Sequence, residues 1–420
     1  MIPELRSEFN TKFTSRAYSE LLADIDRRCN GPIQFRVAET PIFVAKTFLD
    51  DLAEEGARLA RHLMADRAYL AAARSAIPQG YEVANETAHP HFLTADFALV
   101  RAPSGDLVPR LVEIQAFPSV FAYQVELCHA YSAAFDLPRS LGIFLGGLDE
   151  SSYWDLLRQT ILGGRDEENV VLAEVDPLHQ KTFPDFHVTS RRLGIPIVDI
   201  ASLEPVGNKL HYRDANGRLS PIDRIYNRAI ADELIARNVH LPFDPGHPWD
   251  VEWAGHPNWY FLISKFSIPW LSRSRQFSVV PPAVFVSDFL AGSGRQFLAD
   301  SGVELPGTME GETVYGDLLL KPLFSFAGKG IEFEPSRARL EAIPAGERSA
   351  YLVQQRMRFE PTIVTPFGLT QAEIRILYLW PDGGVLTPAM SLVRLGRGKM
   401  MGVDHNKSLK WVGASAAFYI

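Results

Sequence analysis

Gly316-Asp-Leu-Leu-Leu-Lys321-Pro322-Leu-Phe-Ser-Phe-Ala-Gly328-Lys329-Gly330-Ile331-Glu-Phe-Glu334 sets a lysine at the end of an apolar run and follows it with a glycine-bearing loop. An apolar strand over Leu318 to Leu320 makes Lys321 a cation on a buried flank, which costs several kcal/mol unless an anion pairs with it. Gly328 and Gly330 lack a Cβ, so the backbone N–H groups around them can turn tightly and come close to such an anion. The segment therefore has the layout of a nucleotide-phosphate site. A hairpin whose Lys321 reaches out to solvent fits the same residues. The spacing differs from a P-loop, and no Ser or Thr follows the lysine.

Upstream, Ala95-Asp96-Phe97-Ala98-Leu99-Val100 and Leu111-Val112-Glu113-Ile114-Gln115 flank a Pro103-Ser-Gly-Asp106 link, which predicts a hairpin. Residues two apart on a strand share a face, so Glu113 and Gln115 project together, with Asp96 on the partner strand. Two carboxylates and an amide oxygen suit magnesium bound together with substrate phosphates. An amphipathic hairpin with a solvated polar face is the alternative. Lys265 is a lone cation in the aromatic stretch Asn258 to Trp270 and needs a partner. Gln354 and Gln355 interrupt the strand Tyr351 to Met357, where an amide could read an adenine edge or simply mark an exposed edge strand. Glu373 and Arg375 share a face of the next strand. Arg394, Arg397, Lys399, Lys407 and Lys410 gather positive charge near the C-terminus, as solvated charge or as phosphate and carboxylate contacts.

The 420 residues carry a formal charge of −8, which argues against a general nucleic-acid or anionic-membrane binder. The two cysteines, Cys29 and Cys128, lie far apart, so a disulfide framework is not expected and a reducing cytoplasm fits best. No signal pattern and no apolar run of about 18 residues is present, so neither secretion nor a membrane span is expected. Histidines 240, 247 and 256 lack the close spacing that metal sites favour. The first ~80 residues read as helices, with an apolar stripe over Ala45 to Met64, and Phe121 to Phe135 reads as another. From Leu141 short apolar runs alternate with helical stretches, including Leu141 to Leu145, Asn169 to Glu174 and Ile195 to Ile200. That alternation predicts a parallel, doubly wound subdomain. Asn216-Gly217 predicts a hairpin turn, and the Pro- and Trp-rich residues 240 to 260 a stiff loop. The whole reads as α+β.

Taken in order, the Asp96-Phe97 strand, Glu113-Ile-Gln115, His256-Pro-Asn-Trp259-(x)5-Lys265-(x)4-Trp270, Lys321-Pro322 with its Gly328 loop, and the glutamine strand at 354 to 355 resemble an ATP-grasp enzyme. The resemblance is to the circularly permuted branch with glutathionylspermidine synthase and the eukaryotic type of glutathione synthetase. It implies an ATP-grasp-like fold: residues 1–140 as N-terminal helices plus the metal-site hairpin, 141–239 as an inserted α/β substrate-like subdomain, and 240–420 as the nucleotide-binding region. It implies ATP and magnesium as cofactors, with Asp96, Glu113 and Gln115 holding the metal, and Lys265 and Lys321 on the phosphates. The Gly328–Lys329–Gly330 loop would close over them, and the strand at Gln354 and Gln355 would lie against adenine. The implied activity joins a small-molecule or peptide carboxylate to an amine through an acylphosphate, which Arg375 or Arg394 would steady. No oligomeric state is implied.

The chain also departs from that pattern. Glutathionylspermidine synthases carry Asn where this chain has Gln115, Gly-Arg-Glu-Gly where it has Ser325-Phe326-Ala327-Gly328, and Arg where it has Thr94. The altered loop keeps two further readings open, a nucleotide-binding scaffold without ligation and an ATP-dependent phosphotransferase. Lys329 is the residue that could replace the missing loop cation.

Overall fold

A computed structural model describes residues 1–306, 313–324, 330–399, 401 and 408–420. Gly328 and Lys329, expected in the phosphate loop, and Lys407 of the C-terminal basic group therefore lie outside the described residues. The expected hairpin forms, with Phe92–Arg101 antiparallel to Leu107–Gln115. It is one edge of a larger antiparallel sheet that continues through Gly368–Leu379 and Thr387–Gly396 to Gly413–Ser415. Alternation along these strands divides the sheet into two unlike faces. On one, Ala95, Phe97, Ile114, Ile374, Ile376, Val393 and Leu395 are buried in a core with Leu49, Leu52, Leu59 and Leu63 of the helix Lys46–Ala65. Gly56 allows this helix to come close. A Cβ there would stand 2.2 Å from the Tyr378 hydroxyl, which donates to the Ala53 carbonyl at 2.8 Å. The other face carries the charged residues.

A second antiparallel sheet, in the order Ala283–Phe285, Tyr351–Gln355, Leu318–Pro322, Glu332–Phe333, contains the Lys321 strand. Val284, Leu318, Leu320 and Val353 point to one side, into a core with Phe289, Leu298 and Leu340 from three short helices. Leu319, Lys321 and Gln354 consequently point to the other side.

The predicted parallel sheet is present, in the order Glu252–Ala254, Arg224–Asn227, Val170–Glu174, Ile197–Asp199, with every neighbouring pair parallel. Both faces are buried, as a parallel sheet requires: Val170 and Leu172 lie in one core, Val171 and Ala173 in another. Its edge strand Glu252–Ala254 comes from the Pro- and Trp-rich stretch expected to be a loop. Leu141 to Leu145, expected as a strand, instead makes isolated bridges from Gly142 to Tyr419 and from Phe144 to Met390. The Asn216-Gly217 turn joins Lys209–Arg213 to Leu219–Pro221 in a small three-stranded sheet with Glu204–Val206. Among the described residues no helix is long and apolar enough to cross a membrane.

Candidate functional site

The charged face of the large sheet is built by register. Asp96 lies opposite Glu113 on one side and Arg375 on the other, and Arg394 lies opposite Glu373. All five side chains therefore share one face, with Gln115 one step along it. Arg375 grips Asp96 in a two-pronged pair, Nε to Oδ1 at 2.5 Å and Nη2 to Oδ2 at 2.6 Å. Arg394 adds a bond to Asp96 Oδ2 at 3.1 Å and another to Glu373 Oε1 at 2.6 Å. Asp96 is fully buried. Burial alone would raise its pKa, but the two guanidinium groups hold it below the usual carboxylate range.

Two lysines reach the same face from elsewhere. Lys265 lies between the helices Asn258–Leu262 and Ser267–Ser274, buried, with Nζ 4.0 Å from Glu113 Oε2. The motif around it is a scaffold that fixes its position. His256 Nε2 bonds the Ala84 carbonyl, Asn258 bonds Val83 and Glu86, Trp259 donates to Thr87, and Trp270 donates to Asp66. Burial lowers His256 to about 4, so its ring is neutral at ordinary pH. Lys321, 4% exposed, comes from the second sheet. Burial lowers it to about 8, opposed by the charge of Glu113 and assisted by that of Lys265. Both lysines are thus within electrostatic reach of Glu113. Burial also raises Glu373, to about 7, against the pull of Arg394.

The two glutamines separate cleanly. Gln354 lies on the Lys321 side of its strand, completely buried, and neither its amide nitrogen nor its amide oxygen has a hydrogen-bond partner among the described residues. A buried donor and acceptor left open together call for a ligand that offers both. Gln355 alternates to the opposite side, and its backbone N–H bonds the Pro282 carbonyl. Gly330 holds φ +75, the left-handed turn anticipated for the loop, with Pro322 against it.

The donor set suits a hard cation in part. Glu113 and Gln115 offer a carboxylate and an amide oxygen on one strand face, whereas both oxygens of Asp96 already receive guanidinium donors. Of the three oxygen ligands read from the sequence, Asp96 is committed to Arg375 and Arg394. No cluster of three or more His, Cys, Asp or Glu among the described residues forms a metal cage, and histidines 240, 247 and 256 each bond separate partners.

A neighbouring group escaped the sequence reading. Ser119 accepts from Arg375 Nη1 at 3.3 Å through its hydroxyl, and its carbonyl accepts from Arg228. Arg228 follows the parallel strand Arg224–Asn227, is buried among Phe117, Phe186 and Tyr226, and lies 3.7 Å from Asp185 Oδ2. The Nε of Arg228 and Oδ2 of Asp185 are buried without hydrogen-bond partners. Glu174, at the carboxyl end of the adjacent strand, is raised to about 8 by burial, against the pull of Arg228. The carboxyl ends of parallel strands are the usual ligand side of such a sheet. The sequence shows Arg228 and Glu174 only as the ends of short apolar runs, and gives no signal for Asp185.

The Glu174 carboxyl has a measurable consequence. Its folded-state pKa lies above the ordinary value of 4.5, so the folded chain holds an extra proton between about pH 4.5 and 8 and loses stability as pH rises through that window. Glu174→Gln is expected to be more stable than wild type at pH 8 by an amount on the order of a few kcal/mol, with the two converging near pH 4.5. Chemical denaturation of both at the two pH values reads it, and a difference independent of pH contradicts it.

Fold and site together define an α+β chain in which a buried cluster of charged side chains, Asp96, Glu113, Glu373, Arg375, Arg394, Lys265 and Lys321, is drawn from two antiparallel sheets and the segment between two short helices. No protein-family model matches the sequence, and no curated protein matches it either. Among solved structures, the fold is similar to that of a glutathione synthetase-like effector (GSS30) from Globodera pallida, in its apo form. The TM-score is 0.52 at 11% identity, over 100% of this chain and 98% of that one.

Proposed function

We propose that the chain is an ATP-dependent carboxylate–amine ligase with an ATP-grasp-like fold of the permuted branch. The observation that carries this reading is the convergence of Lys265 and Lys321, from separate elements, on the Glu113 face of the hairpin. Such a convergence suits a triphosphate, whose transfer is accelerated chiefly by positioning and charge neutralisation. In this reading Lys265 and Lys321 bind the phosphates, and Gln354 meets the adenine edge with its open donor and acceptor. Glu113 and Gln115 would hold magnesium, which when bound neutralises phosphate charge. Arg394 orients the transferring phosphoryl group. Arg228 and Ser119, next to Arg375, hold the acid substrate. The acid's carboxylate oxygen bonds to the γ-phosphorus as the bond to ADP breaks. The amine then bonds to the acyl carbon, phosphate leaves, and the nitrogen gives up a proton.

An acid labelled with 18O in its carboxylate tests this directly, because the mechanism carries one labelled oxygen into the released phosphate. ATP bound with neither ADP nor labelled phosphate formed, across a broad panel of acids and amines, would favour a nucleotide-binding scaffold. That second reading is motivated by the uncharged Ser325-Phe326-Ala327 sequence. A stable phosphorylated acid would indicate a phosphotransferase.

A further inference from the structure

Asp96 and Glu113 face each other across the hairpin, the arrangement in which a divalent ion would bridge two carboxylates. The Arg375 side chain occupies that place. Its Nη2 is 2.6 Å from Asp96 Oδ2 and 3.5 Å from Glu113 Oε1, its Nε is 2.5 Å from Asp96 Oδ1, and its Nη1 is 3.3 Å from the Ser119 hydroxyl. A guanidinium has five N–H groups, and the three on Nε and Nη2 face these two carboxylates. Arg394 closes the remaining side of Asp96 at 3.1 Å. An ion entering between the carboxylates would have to displace both N–H bonds that Arg375 makes to Asp96 and leave the guanidinium, itself largely buried, without its carboxylate partner, which is strongly unfavourable. Counted by formal charge, Arg375, Arg394, Lys265 and Lys321 exceed Asp96, Glu113 and Glu373 by one, so this cluster is cationic without any metal.

The geometry points to Arg375 as a built-in cation that replaces a divalent ion between Asp96 and Glu113, so that the nucleotide site takes a single divalent ion, on the Glu113 and Gln115 side. Arg375 is then a positioning residue that fixes the ion count. This rests on the nucleotide reading above, though not on ligation.

Manganese can be counted by electron paramagnetic resonance with the full-length protein saturated in the non-hydrolysable ATP analogue AMP-PNP. Wild type is expected to bind one Mn2+ per chain. Arg375→Ala, which vacates the place between the carboxylates, is expected to bind two, and Arg375→Lys, which keeps a cation there, one. Two ions on wild type would overturn the inference while leaving the nucleotide site intact, and so would an Arg375→Ala protein that still binds one. Should Arg375→Ala not fold, a count of two on wild type or on Arg375→Lys still overturns it, and one on both upholds it. No AMP-PNP binding at all would overturn the nucleotide reading and this inference with it.

Discussion

Lys321→Ala is expected to weaken ATP binding by roughly 100-fold while leaving the fold intact, because a buried charge-assisted contact to phosphate is removed. The effect is large because Lys321 is almost completely buried and already depressed to about 8 by burial, with Lys265 adding to the fall and Glu113 opposing it. In the free protein that ammonium is an unfavourable group, so its loss costs little stability, as is common for binding residues. The same depressed pKa predicts a pH dependence. Phosphate binding needs the protonated lysine, so as pH rises above about 8 the free protein must take up a proton to bind, and apparent affinity falls by up to tenfold per pH unit. In Lys321→Ala that slope disappears. Calorimetric titrations of wild type and variant at pH 7 and pH 9 give both quantities. Equal affinities in two folded proteins would remove Lys321 from the site.

Asp96→Ala is expected to cost about 3–5 kcal/mol of stability, since it leaves the buried Arg375 and Arg394 without their shared carboxylate. This separates two roles for one residue. A pure metal ligand could be replaced with little loss to the metal-free fold, whereas a carboxylate that organises two guanidinium groups could not. Urea denaturation of the metal-free variant distinguishes them. A midpoint within error of wild type would return Asp96 to the list of oxygen ligands and remove the reason for assigning the ion to Glu113 and Gln115.

These two residues also show how far the sequence could be read. Lys321 was legible because a single strand and its loop express its peculiarity: three leucines, then a lysine, then glycines. Asp96 was legible as a candidate ligand, but its partner Arg375 is separated from it by 279 positions. The pairing exists because the strand Gly368–Leu379 lies beside Phe92–Arg101 in the sheet, and strand order is set by global packing that local periodicity does not record. Gln354 and Gln355 illustrate a different limit. The sequence offered both as one polar interruption of a strand; adjacent strand residues take opposite faces, and which of the two shares the Lys321 side depends on the core formed by Val353, Leu318 and Leu320.

The fold followed the same division. Helices with a full apolar stripe were read almost to the residue: Ala45 to Met64 was expected, and Lys46–Ala65 forms. The Phe121–Ala134 helix was likewise clear and is buried on most sides. The strand Glu252–Ala254 was lost among prolines and tryptophans because three residues are too few to establish a period. Leu141 to Leu145 has the composition of a strand, but it meets the sheets only through single bridges near the C-terminus. The Arg228, Asp185 and Glu174 group was the least visible. Each member has an ordinary local explanation, and only the carboxyl edge of the parallel sheet brings them together.

The central claim is that the charged cluster in which Lys265 and Lys321 meet the Glu113 face of the Asp96 sheet is a magnesium–nucleotide site. Isothermal titration of AMP-PNP into the full-length protein, with magnesium present and then with it chelated, addresses that claim most directly. The account predicts saturable binding of one nucleotide per chain that weakens markedly when magnesium is removed. Heat signals indistinguishable from dilution in both conditions would contradict it.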